Sequence, residues 1–84
     1  MTEEAIKSAL KNYILKEFLP GEAPEELTDT TPLITGGVFD SIATLKLVAF
    51  IEERYDFSFQ AHEVDVKYLN TIADIAKLIL SKKA

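Results

Sequence analysis

Gly36-Gly37-Val38-Phe39-Asp40-Ser41-Ile42-Ala43-Thr44-Leu45-Lys46-Leu47-Val48-Ala49-Phe50-Ile51-Glu52-Glu53-Arg54-Tyr55 is the stretch whose reading decides the fold. After Ser41 about fourteen residues run on without Gly or Pro, which reads as a helix roughly 20 Å long. Asp40 is a good N-cap, so Ser41 falls at or near the first helical position. A serine there has unpaired backbone N–H groups beside it and the positive end of the helix dipole behind it, a seat suited to a phosphate ester on its hydroxyl.

On a helical wheel of roughly 100° per residue, Leu47, Val48, Phe50, Ile51 and Tyr55 collect on one arc as an ordinary core face. The opposite arc carries Ile42, Leu45 and Ala49 among Ser41, Lys46, Glu52 and Glu53. A small apolar strip with a charged border, beginning at the capped serine, has the composition of a transient docking surface. A further helix laid over the strip would make it core instead, and sequence alone leaves that alternative open.

The run Gly37-Val38-Phe39-Asp40-Ser41-Ile42, with the helix ending Ile51-Glu52-Glu53-Arg54-Tyr55, resembles the acyl carrier protein family. The later segment Leu69-Asn70-Thr71-Ile72-Ala73-Asp74-Ile75 fits the same pattern, so the resemblance covers nearly the whole chain. It implies an all-α four-helix bundle in which Asp40-Ser41-Ile42 opens the second helix. It implies that Ser41 carries a 4′-phosphopantetheine arm, with Asp40 capping the helix and aiding the transferase and its Mg²⁺ at the serine. On that reading Ile42, Leu45 and Ala49 are apolar docking contacts, and Glu52 and Glu53 pair with basic residues of partners. The expected partners are a phosphopantetheinyl transferase, an acyl- or aminoacyl-loading ligase or transferase, and downstream synthases. Carriers of fatty-acid synthesis generally show acids where this chain has Ala43 and Lys46. The Gly-Val-Phe-Asp-Ser lead-in is similar to the Gly-Leu-Leu-Asp-Ser style of D-alanyl, aminoacyl and peptidyl carriers and of specialised acyl carriers, which favours a specialised pathway.

Outward from that stretch, the 84 residues make one domain, 1–84. There is no cysteine, so any thiol chemistry must arrive with a cofactor. The net charge of −5 argues against nucleic acid, whose phosphates need clustered Lys and Arg. Acidic balance suits partners with basic patches, and equally serves solubility. No apolar run approaches the ~20 residues of a membrane span and no signal-peptide pattern opens the chain, so a cytoplasmic monomer is expected.

Thr2 caps a first helix expected over about Glu3 to Phe18, ended by Pro20-Gly21, with Lys7, Lys11 and Lys16 solvated. The connection from Leu19 to Phe39 exceeds the usual loop, and Leu27, Leu33, Ile34, Val38 and Phe39 are its expected core pins. Thr28-Asp29-Thr30-Thr31-Pro32 reads as turn chemistry, and Gly36-Gly37 as a place where backbone passes close to the modified serine. His62-Glu63-Val64-Asp65-Val66 is expected to form a short third helix, with the lone His and its acids as surface structure. Thr71 caps the last helix, with Ile72, Ile75, Ala76 and Ile79 inward and Lys82-Lys83 at its C-terminal end.

An enzyme needs a nucleophile with a base, a metal, or convergent polar groups. This chain has one His and no Cys, and Ser41 has no evident general base. Ser41 is therefore read as the acceptor of a modification and not as a catalyst. The alternative is a small helical protein-interaction module without a prosthetic group.

Overall fold

The first helix, α1 (Glu3–Phe18), starts because the Thr2 hydroxyl accepts the Ala5 N–H at 3.1 Å, and Glu3 and Glu4 sit in the first turn. The computed structural model describes residues 2–19, 21 and 24–83; Pro20, expected to end α1, lies outside them. At its C-terminal end the Leu19 N–H donates to the Ile14 carbonyl at 3.2 Å. Then come a single 3₁₀ turn (Pro24–Glu26), α2 (Ser41–Tyr55), a second 3₁₀ turn (Ala61–Glu63), α3 (Val66–Leu69) and α4 (Ile72–Lys83). The described residues contain no strand, and the architecture is the expected small helical bundle.

One apolar core joins the four helices. Ile6, Leu10 and Ile14 of α1 meet Leu47 and Ile51 of α2, Leu69 of α3, and Ile72, Ile75 and Ile79 of α4, all without solvent exposure. Leu27, Leu33 and Phe39 are buried with them, while Ile34 and Val38 are half-buried against the cluster, so the long connection is pinned where expected. Aromatic packing aligns α1 with α2. Tyr13 stacks on Phe50 with centroids 3.9 Å apart and its hydroxyl donates to the Lys46 carbonyl at 3.3 Å. Phe18 meets the edge of Tyr13 and also packs on Phe39, two residues before Ser41. Burial, then the nearby Glu17 charge, raises the Tyr13 pKa.

Three local expectations are corrected by the packing. The third helix begins at Val66, not His62, because Asp65 Oδ1 accepts the Val66 N–H at 2.7 Å and starts the helix there. Glu63 is buried, not a surface acid: its Oε1 takes the Gln60 N–H and the Lys82 ammonium, each at 2.8 Å. The Lys82 contact first, and the Gln60 amide second, hold its carboxyl below the usual range. Lys7 and Lys11 are not simply solvated. Their ammonium groups reach the two Asp29 oxygens at 3.1 and 2.9 Å, while the Asp29 carbonyl accepts the Ala73 N–H at 3.0 Å. The middle of the long connection is thereby tied to both α1 and α4.

Candidate functional site

Ser41 is the first residue of α2 and is exposed. Asp40 precedes it in extended conformation (φ −93°, ψ −172°), and its Oδ1 accepts the Ala43 N–H at 2.8 Å. The Asp40 carbonyl accepts the Thr44 N–H at 3.0 Å and the Thr44 hydroxyl at 2.8 Å. Three groups of the first turn are thus fixed around Asp40. Helix geometry leaves the Ser41 and Ile42 N–H groups without intrahelical partners at the same end. Ser41 is therefore an exposed residue at a capped helix start.

The segment leading to Ser41 is closed on itself. Phe39 N–H donates to the Leu33 carbonyl at 2.9 Å, and Gly37 N–H to the Ile34 carbonyl at 3.2 Å. Gly37 has φ +84°, the left-handed region that a side chain disfavours. Gly36 is required for a different reason from the one expected. A Cβ there would overlap the Pro32 carbonyl oxygen, so the close approach is within the loop and not against the serine.

Asn70, between α3 and α4, anchors this loop. Its Oδ1 accepts the Ile34 and Thr35 N–H groups at 2.9 and 3.0 Å, and its carbonyl accepts the Leu33 N–H at 2.6 Å. Its side-chain amide donates to the Thr35 hydroxyl at 3.2 Å. No short motif marks this role in the sequence, because the partners lie about thirty-five residues away.

Beside Ser41 lies an open groove of about 520 Å³. It is lined by Ile34, Phe39, Ser41 and Leu45, from the loop before α2 and α2 itself, and by Val64 and Val66, from the segment that enters α3. Asp40, Thr44 and Asp65 also border it. The mixture of an apolar lining with a few polar groups suits an elongated, mostly apolar ligand portion.

The strip on α2 is uncovered, which settles the alternative left open by the wheel. Ile42 is 65% and Leu45 62% exposed, with Ala49, Lys46 and Glu53 exposed along the same helix. Among the described residues the exposed large hydrophobics are Ile42, Leu45 and Val66, of which Leu45 and Val66 line the groove with Ser41. Val66 was not singled out by the sequence, where it reads as part of a short helix. Glu52 departs from its expected role: it is half-buried and its Oε2 accepts the Phe59 N–H at 2.8 Å. That bond anchors the 57–59 segment, and leaves Glu53 as the exposed acid of the two. His62 meets the edge of the Tyr68 ring at 6.4 Å.

No protein-family model matches the chain, and a search of curated proteins also returns no match. Among solved structures the chain is similar to one in the crystal structure of an FAD-dependent dehydrogenase. The two share 30% identity with a TM-score of 0.75, over 83% of this chain and 97% of that one.

Proposed function

We propose that this protein is a carrier: Ser41 bears 4′-phosphopantetheine, and the protein presents acyl or aminoacyl groups to partner enzymes. The observation that carries the reading is the convergence at one helix start. An exposed serine follows a capping aspartate, an uncovered apolar strip runs away from it along α2, and a groove opens beside it. The residues fit the group. The Ser41 hydroxyl is accessible for a phosphodiester, two first-turn N–H groups favour its negative charge, and the groove can shelter the apolar portion of an arm or its cargo.

The arm supplies the thiol that the cysteine-free chain lacks, on which a cargo is held as a thioester. The chain's own residues do the rest. Asp40 fixes the serine's backbone, Ile42, Leu45 and Ala49 offer desolvatable area to a partner, and Lys46 and Glu53 set the charge at the rim. Lys46 places a positive charge where an acidic helix would attract a basic partner, which supports a specialised pathway over general fatty-acid synthesis.

Since 83% of this chain spans 97% of the similar chain, that chain is itself the shorter of the two. A dinucleotide crevice of the doubly wound kind needs a parallel sheet, and the described residues here form none. The similarity therefore supports no flavin site in this protein. It does support offering the loaded protein to a flavin-dependent dehydrogenase as one candidate partner.

The test is intact mass after incubation with coenzyme A, Mg²⁺ and a broad-specificity phosphopantetheinyl transferase. One phosphopantetheine should be gained, on Ser41 by peptide mapping, as its hydroxyl oxygen displaces adenosine 3′,5′-bisphosphate from coenzyme A. Ser41→Ala should stay folded, since exposed positions usually change stability by no more than about 0.5 kcal/mol, and should gain nothing. An unchanged mass in the parent would leave an interaction module as the better account.

A further inference from the structure

The groove beside Ser41 is lined from two distant parts of the chain, and one residue is bonded to both, by its side chain to the first and by its backbone N–H to the second. Ile34 belongs to the loop before α2, whereas Val64 and Val66 belong to the segment that enters α3. Asn70 N–H donates to the Val66 carbonyl at 3.2 Å, fixing the end of α3. Asn70 Oδ1 accepts the Ile34 and Thr35 N–H groups, and the Asn70 carbonyl accepts that of Leu33. The loop so held passes its position onward through the Phe39 N–H bond to the Leu33 carbonyl, directly ahead of Asp40 and Ser41.

From this we infer that Asn70 is the positioning residue that sets the width of the groove, and so determines which cargo is sheltered beside Ser41. The inference rests on the carrier reading for the word cargo; the wall-to-wall tether stands on the hydrogen bonds alone. A single oxygen accepting two adjacent backbone N–H groups holds Ile34 against the core from one side. Removal of that oxygen frees both N–H groups to take water, and water between the loop and α3 parts the walls. A longer acyl chain, which needs both walls at once, loses more by this than an acetyl group.

The test compares the parent with Asn70→Ala and Asn70→Asp; the aspartate keeps an acceptor oxygen for both N–H groups. Amide hydrogen exchange, measured on the unmodified proteins, should accelerate at Ile34 and Thr35 at least tenfold in Asn70→Ala relative to Ile51. Asn70→Asp should stay within threefold of the parent. Acetyl- or octanoyl-phosphopantetheine is then installed on Ser41 from the acyl coenzyme A. Hydrolysis, in which water cleaves the thioester to free acid and thiol, is followed by mass and normalised to the same thioesters of free pantetheine.

In the parent the octanoyl group should outlast the acetyl group at least threefold. That ratio should fall at least twofold in Asn70→Ala and persist in Asn70→Asp. Equal normalised lifetimes in the parent, an unchanged ratio in folded Asn70→Ala, or an Asn70→Asp protein that behaves like Asn70→Ala would overturn the inference. Should Asn70→Ala fail to fold, Asn70→Ser takes its place, since its shorter side chain withdraws the acceptor from the Ile34 and Thr35 N–H groups while keeping a polar residue there. It must lower the ratio, and no change there is equally fatal. A parent that accepts no arm defeats the carrier reading instead, while the exchange data still decide whether Asn70 holds the walls together.

Discussion

Leu45 and Leu47 stand two residues apart on α2, about 200° around the helix, and substituting each by Ala separates docking surface from core. Leu47 has no exposure, so its truncation removes transfer free energy and leaves a cavity, at about 2–5 kcal/mol. A chain of this length has about 4–12 kcal/mol in total. At about 4–8 °C per kcal/mol for a domain of this size, Leu47→Ala should melt about 8–40 °C below the parent. Leu45 is 62% exposed, and only the remaining third or so of its side chain is buried. Scaling the roughly 1.5–3 kcal/mol of a fully buried Leu accordingly gives at most about 1 kcal/mol. Alanine's slightly better helix propensity offsets part of this. Leu45→Ala should therefore melt within about 8 °C of the parent. The assay is thermal unfolding by circular dichroism, paired with the rate of phosphopantetheine transfer to each folded protein. Leu45→Ala should slow transfer with little thermal cost. Comparable losses of stability in the two variants would show that the strip serves the fold, and would remove the docking surface from the argument.

The charge at Lys46 gives a second expectation. Lys46→Glu, ideally with Ala43→Asp, should speed loading by a fatty-acid malonyl transferase, because its basic surface then meets an acid. The gain should shrink as salt rises, since exposed charges are screened over about 8–10 Å; a parent already loaded as fast as a general fatty-acid carrier would contradict the specialised assignment. A third concerns acid. The carboxyl of Glu63 titrates lower in the folded chain than in the unfolded chain, so its stabilisation is complete above the ordinary pKa of 4.5 and is lost as pH falls through the depressed value. The stability gap between parent and Glu63→Gln, from urea denaturation at several pH values, should therefore narrow below about pH 4.5; a gap independent of pH would exclude the Lys82 pairing as its source.

The helices with long apolar repeats were legible because local signals coincide there. Thr2, Asp40 and Thr71 cap where they should, with the Asp74 N–H on the Thr71 hydroxyl at 3.1 Å. The exposed strip was legible for the same reason, since periodicity predicts which residues oppose the core face. What sequence left dark is contact between distant segments. Nothing at Glu63 announces Lys82, nothing at Asp29 announces Lys7 and Lys11, and nothing at Asn70 announces Ile34. The misplaced third helix follows from the same blindness. A four-residue helix has too few turns to show a period, and its start is fixed by one aspartate oxygen.

Asp29 also changes what kind of connection joins α1 to α2. Held by two ammonium groups and by the Ala73 amide, it divides one long span into two shorter ones. Closure entropy grows only with the logarithm of length, so the division alters the chain's overall cost little. Its effect is mechanical insulation. Changes of length or sequence near the exposed Glu25 and Glu26 end at a fixed point before they reach Pro32, Gly36 and the serine. The exposed positions around Glu25 and Glu26, short of the buried Leu27, are consequently the part of this connection free to diversify or to accept a label, while the downstream half keeps the geometry in which Ser41 is displayed.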